Sequence, residues 1–167
     1  MHELELKFAV PSYQQSVLRK NIDTKNAQQQ RLSAYYFDTP NQDLAKKGIA
    51  LRIRFEDSQW VQTLKTAGDG VAKRVELNTV LSLTGTPDNL DVSSLVPDIS
   101  LITEPTVVAQ LTNIMPLDEL AQALTVQYFT DVERTSRQIK KNNRRIEIAY
   151  DIGKVGIGHL NSQKPAN

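Results

Sequence analysis

Glu3, Glu5 and Lys7 stand on alternate positions, as do Arg52 and Arg54, and Arg74 and Glu76, while Glu147 and Asp151 share a parity further on. In an extended chain such spacing puts each set on one face of its strand. Arg52, Arg54 and Lys65 supply the forked and point-charge donors that phosphate oxygens accept. Glu3 and Glu5 supply hard oxygen ligands suited to magnesium or manganese. Together these residue types describe a site for a polyphosphate and a divalent metal.

Strands must hold those residues, and the pattern supplies them. His2 to Val10 alternates, with Leu4, Leu6 and Phe8 opposite the charged face. Tyr13, Val17, Leu18 and Ile22 recur at helical spacing in a segment that ends near Asp23. Arg31 to Asp38 reads as a strand, closed by a turn at Asp38-Thr39-Pro40-Asn41. A short helical turn through Leu44 and Ala45 ends at Gly48. Ile49 to Glu56 and Trp60 to Thr66 form a hairpin through Asp57-Ser58-Gln59, and Ala67-Gly68-Asp69-Gly70 turns the chain into a strand over Lys73 to Leu81. Loops and helices are expected from Thr84 to Leu124, one helix opening at Glu104-Pro105. Strands resume over Leu124 to Arg134, over Arg144 to Asp151 after a Lys140-Lys141-Asn142-Asn143 turn, and over Val155 to Gly158.

With 167 residues, 40% hydrophobic and 23% charged, the chain has the size and balance of one globular domain. It contains no cysteine, which excludes disulfides, thiolate catalysis and sulfur-ligated zinc. A net charge of +1 argues against a general nucleic-acid surface. No apolar run reaches bilayer length and no secretory signal pattern opens the chain, so no membrane partner is expected and the cytoplasm is the expected location. His2 and His159 lack any metal-ligand spacing and read as solvated residues. Trp60 and the Tyr35-Tyr36 pair read as core and wall packing rather than base-stacking platforms.

Two arrangements satisfy the alternation. In an open antiparallel sheet the charged face meets water, with cross-strand ion pairs each contributing under about 1 kcal/mol. In a barrel with that face inward, the charges need partners or a ligand to offset their desolvation.

Glu3-Leu4-Glu5-Leu6-Lys7 matches the Glu-x-Glu-x-Lys signature of the CYTH family, the triphosphate tunnel metalloenzymes. Further motifs follow in order: Tyr35 to Pro40, Gly48 to Arg54, Gln62 to Lys65, Arg74-Val75-Glu76-Leu77-Asn78, and Ile146 to Asp151. Each resembles a successive strand of that family, and the set covers essentially the whole chain as a single domain, residues 1–167. The bacterial inorganic triphosphatases look nearest, through Arg74-x-Glu76-x-Asn78.

The resemblance implies an α+β fold: an antiparallel, closed or nearly closed β-barrel forming a tunnel, with helices packed outside. It implies metal-dependent hydrolysis of inorganic triphosphate to diphosphate and phosphate, with Mg2+ or Mn2+ as cofactor. Lys7, Arg52, Arg54, Lys65, Arg74 and Arg134 would bind phosphate oxygens; Glu3, Glu5, Glu76, Glu147 and Asp151 would organise the metal; Glu5, Glu76 and Lys65 would carry the chemistry. Tunnel relatives are often dimeric, so a homodimer lies within what the resemblance implies.

Several positions depart from the family pattern. Ser136 stands where a second basic residue is common, Arg137 falls one step further and on the opposite face, and Lys154 sits near an often acidic position. The closing strand with further alternating glutamates is absent from these 167 residues, and an open edge is expected without it. Arg74 and Arg134 also read as salt-bridge partners. Two competing functions remain: a module that binds polyphosphate or nucleotide without hydrolysis, and a thiamine triphosphatase or adenylyl cyclase. The last pair would need an aromatic or apolar rim that the sequence does not identify.

Overall fold

The computed structural model describes residues 6–67, 75–142 and 144–157. Six strands follow the order β4-β3-β2-β1-β5-β6 in one sheet, with β1 Gln28–Asp38, β2 Ile49–Glu56, β3 Gln59–Thr66, β4 Glu76–Leu81, β5 Thr125–Lys141 and β6 Arg144–Gly156. The pairs β1–β2, β2–β3 and β3–β4 are antiparallel. Three short helices accompany them: α1 Gln15–Ile22, α2 Pro105–Thr112 and α3 Leu117–Ala123. None of the described helices is long and apolar enough to cross a membrane.

The chain forms two compact units, one of residues 1–30 and 133–152, the other of residues 31–132 and 153–167. The larger holds the main core. Tyr35, Leu51, Ile53, Trp60, Leu64 and Phe129 project from one face of its strands, and Val107 and Leu111 of α2 with Leu120 of α3 cluster with them, all buried. Trp60 anchors this layer. Its ring lies 6.3 Å from Tyr35 and 5.1 Å from Phe55, and its Nε1 donates to the Gly85 carbonyl at 2.9 Å. Removing it would leave a large cavity and an orphaned acceptor, a loss of about 3–5 kcal/mol. Gln62, also buried, exchanges hydrogen bonds with the backbone of Asp98 at 2.8 and 2.9 Å, which pins the long β4–α2 connection to the same face.

Local chemistry explains the boundaries. After β1, the Asp38 carboxylate accepts from the backbone N–H of Thr39, Leu44 and Ala45, fixing the turn that launches β2. Gly48 then adopts φ 67°, a left-handed conformation that glycine enters without a side-chain clash, and a Cβ there would lie 2.8 Å from Cβ of Ala67. Pro105 opens α2 and Glu104 caps it, accepting from Val107 N–H at 3.0 Å. Asn142, at φ 51°, turns β5 into β6.

Three expectations need correction. The expected closed or nearly closed barrel does not close among the described residues, where β4 and β6 are the ends of the order and do not pair with each other. Alternation specifies which face a side chain takes, not which edge finds a partner. Leu6 to Val10 carry no strand pairing, and Leu6 and Phe8 are exposed, so the expected opening strand lacks both ladder and apolar cover over its described part. The expected Arg144–Asp151 and Val155–Gly158 strands are one, β6, which runs through Gly153 without a break. Residues 68–74, and with them the start of the expected Lys73–Leu81 strand, lie outside the described residues.

Candidate functional site

The face of β2 opposite the core carries Arg52 and Arg54, because Leu51, Ile53 and Phe55 take the other parity. Strand register builds the rows around them. Arg52 stands opposite Thr63, which stands opposite Asn78; Ala50 stands opposite Lys65, which stands opposite Glu76. On the β1 side, Arg52 faces Tyr36 and Arg54 faces Ala34. Two-residue spacing in three neighbouring strands thus converts into a patch.

Hydrogen bonds knit the patch. Lys65 Nζ lies 3.0 Å from Glu76 Oε2, Asn78 Nδ2 donates to Glu76 Oε1 at 3.3 Å, and Thr63 Oγ1 donates to Asn78 Oδ1 at 2.8 Å. The Lys65 hydrogen bond holds the Glu76 carboxyl below the usual carboxylate range against the opposing effect of partial burial, with help from Asn78 and the charge of Arg52. Arg54 pairs with Glu56 on the same strand face. Nε of Arg52 is buried and has no hydrogen-bond partner among the described residues. A buried guanidinium N–H without an acceptor is costly, and an anionic oxygen would satisfy it.

Beside Arg52 the patch is walled by aromatic rings. Tyr36 and Tyr128 stack with centroids 4.4 Å apart and planes 11° from parallel. Burial raises the Tyr128 phenol above its ordinary value. Tyr35 and Trp60 lie in the core and Tyr36 in this wall, as the sequence suggested; the Tyr128 partner was not visible there.

In the smaller unit, Arg134 and Asp151 form a fork, Nε to Oδ1 and Nη2 to Oδ2, both at 2.7 Å. This realises the salt-bridge reading of Arg134. Glu147, four residues before Asp151 on β6, shares its strand parity and is exposed. Nε of Arg137 is buried without a hydrogen-bond partner among the described residues. Lys7 is exposed and outside any strand. Glu3, Glu5 and Arg74 lie outside the described residues.

Carboxylate oxygens of Glu76, Glu147 and Asp151 suit a hard divalent cation by donor type. Among the described residues, however, no three His, Cys, Asp or Glu side chains converge as a metal cluster.

Sequence reasoning missed a second cluster, at the β1–β5 junction of the larger unit. Arg31 donates to Asp131 Oδ1 at 2.9 Å and Oδ2 at 3.1 Å, and to Asp88 Oδ1 at 2.9 Å; Ser33 Oγ donates to Asp131 Oδ1 at 3.1 Å. Burial pushes the Asp131 carboxyl up, but Arg31 and Ser33 outweigh it and hold it below its ordinary value. Tyr35, fully buried, has its phenol pushed up to about 12 by burial and the nearby Asp131 charge. These partners are 57 to 100 residues apart in the chain, so no local spacing announces them. Thr63 was missed too, although its place two residues before Lys65 was a legible signal.

The CYTH domain model matches residues 1–160. The chain is 33% identical over 127 residues to an inorganic triphosphatase of Haemophilus influenzae, an overlap covering 74% of this chain and 31% of that protein. It therefore spans about a third of that relative's length. A solved structure of a candidate adenylate cyclase from Bacillus halodurans resembles the fold with a TM-score of 0.54 at 18% identity, covering 86% of this chain and 69% of the other. By the match over residues 1–160, this chain belongs to the CYTH domain family.

Proposed function

We propose that this chain binds a triphosphate on the Arg52 face and hydrolyses inorganic triphosphate to diphosphate and phosphate with a divalent metal. The observation that carries the reading is the buried Arg52 Nε, which has no hydrogen-bond partner among the described residues, in a strand row adjoining Lys65 and Glu76. An inorganic triphosphatase at 33% identity supports the choice of substrate. Arg52, Arg54 and Lys65 bind phosphate oxygens; Lys7, Arg74 and Arg134 are assigned the same role on the family resemblance alone. Glu3, Glu5, Glu76, Glu147 and Asp151 are assigned to a magnesium or manganese ion, which would neutralise substrate charge and favour attack by water.

In the reaction, a water oxygen bonds to the terminal phosphorus as the bridging P–O bond breaks. Diphosphate leaves and the water proton passes to solvent. Glu5 and Glu76 orient the water, and Lys65, released from Glu76 by substrate, meets the charge that grows on the leaving oxygen. The test is phosphate release from inorganic triphosphate with magnesium or with chelator, beside ATP and thiamine triphosphate, for the unaltered chain and for Glu5→Gln and Glu76→Gln. Metal-dependent release, falling at least about 100-fold in either variant, is expected. Equal rates with chelator would sink the metal assignment, and faster turnover of ATP or thiamine triphosphate would sink the substrate.

A second reading, binding without hydrolysis, is favoured by the same Lys65–Glu76 pair, which occupies a carboxylate that catalysis would need. Triphosphate binding with no phosphate release would select it.

A further inference from the structure

The segment from Arg134 to Ile146 holds six of the chain's 20 Lys and Arg residues and none of its 19 Asp and Glu residues. The whole-chain charge of +1 conceals this concentration, because the rest of the chain is net acidic. The segment forms the end of the β5–β6 hairpin, within the smaller unit. β5 ends at Lys141 and β6 starts at Arg144, so the two neighbouring strands are joined by two residues, a connection that only antiparallel strands allow. In equal steps from that turn, Lys141 stands opposite Arg144, Lys140 opposite Arg145, and Arg134 opposite Asp151. The Arg134–Asp151 fork fits that register.

Like charges directly opposite one another destabilise a strand pair, and here two such positions follow in succession. Lys140, Arg144 and Arg145 are exposed, and none has a carboxylate partner among the described residues. The segments outside the described residues carry three acids, Glu3, Glu5 and Asp69, and three Lys or Arg, so by composition they add no net charge to offset the hairpin end. Strand parity puts Lys140 and Arg145 on one face of the ribbon and Arg144 on the other. Arg137, with its buried Nε lacking a hydrogen-bond partner among the described residues, shares the face of Arg144.

We propose that this hairpin end docks in the major groove of duplex DNA, its cations meeting phosphates on both walls. That groove is about 12 Å wide and admits a two-stranded ribbon. Cations on both ribbon faces suit a groove with phosphates on either side, whereas a flexible linear polyanion or a flat anionic surface meets one face at a time. Single strands are held by stacking bases on aromatic rings, and no aromatic residue occurs from Arg134 to Ala149. The major groove of A-form RNA is too deep and narrow for side chains to read. Asn142, exposed at the tip with φ 51°, carries an amide of the kind that bonds base edges. Phosphate contacts dominate, so the docking tolerates any sequence.

The test is fluorescence anisotropy of a labelled duplex of two helical turns, about 21 base pairs, titrated with the full chain at about 50 and 200 mM salt. Affinity is expected to fall roughly 100-fold between the two, the response for about four phosphate contacts. Lys140→Glu combined with Arg145→Glu should bind at least about tenfold more weakly at the lower salt and halve the salt slope. Lys46→Glu combined with Lys47→Glu, an equal charge change at exposed residues of the larger unit, should bind within about twofold of the unaltered chain. No binding at the lower salt, an equal loss in the two double variants, or tighter binding of single-stranded DNA or linear polyphosphate than of duplex at equal phosphate concentration would each overturn the proposal. Trp60 emission checks that each variant folds. Should the charge-reversed pair fail to fold, Lys140→Gln combined with Arg145→Gln takes its place, with the same halved slope expected.

Discussion

Lys65 and Glu76 face each other across the β3–β4 ladder, with 3.0 Å between Nζ and Oε2. The pair is both a stabilising contact and a lock on the site. On the proposed function, a triphosphate that claims Lys65 would displace Glu76 and so free the carboxylate.

That contact has a pH signature. Glu76 titrates below its ordinary value of 4.5, so its stabilising contribution is fully present above that pH and is lost as pH falls through the lowered native value. Both side chains are nearly half exposed, which limits the contribution to under about 1 kcal/mol. Thermal melts of the unaltered chain and Glu76→Gln should differ slightly at pH 7 and converge as pH falls through the lowered native value. A gap that widens in acid would contradict the assignment.

Arg52 separates charge from geometry. Arg52→Ala is expected to weaken triphosphate binding by about 1.5–3 kcal/mol, the range for a charge-assisted hydrogen bond, or tenfold or more in Kd. Arg52→Lys keeps the charge but loses the Nε donor, and should recover only a small part of it. Titration calorimetry with inorganic triphosphate measures both, and full recovery by lysine would show that the fork is irrelevant.

Asp131 ties β5 to β1 through Arg31 and Ser33. Asp131→Asn should lower stability by about 1–2 kcal/mol, discounted because the Arg31 side chain is 44% exposed. Since the Asp131 carboxyl lies below its ordinary 3.8, the deficit should hold at neutral pH and vanish as pH falls through the lowered native value. Urea unfolding of the two proteins at pH 7 and pH 3 tests this, and a deficit unchanged in acid would rule the ion pair out as its cause.

Gly153 lies where a Cβ would collide with the Asp131 carbonyl and come within 2.8 Å of Val132 Cα. Backbone cannot rotate out of the way as a side chain can. Gly153→Ala should therefore destabilise by about 2–3 kcal/mol or more, lowering the melting temperature by several degrees. A melting temperature equal to that of the unaltered chain would mean that β5 and β6 do not approach so closely there.

The same glycine explains part of what the sequence concealed. Read locally, Gly153 interrupts the alternation of β6, whereas spatially it permits the close approach of β5, so one strand looked like two. β2 was legible because apolar and charged residues alternate from Leu51 to Glu56 and Gly48 marks the start. β5 outran its expected end at Arg134 because Thr135, Ser136 and Gln138 are polar whichever face they take. Arg52, Arg54, Lys65 and Glu76 were found through spacing and family motif together, but the Lys65–Glu76 contact and the Tyr36–Tyr128 stack depend on register, which periodicity does not encode.

Trp60 is the protein's single tryptophan, buried among Tyr35 and Phe55 on the sheet face turned away from Arg52. Its fluorescence is consequently a built-in gauge of whether the hydrophobic layer is intact, insulated by the thickness of the sheet from whatever settles among the arginines. Emission that shifts on adding triphosphate would signal a rearrangement crossing the sheet, while a silent tryptophan beside heat-detected binding would mark the scaffold as rigid. One indole thus lets melting and occupancy be followed in the same cuvette without labels.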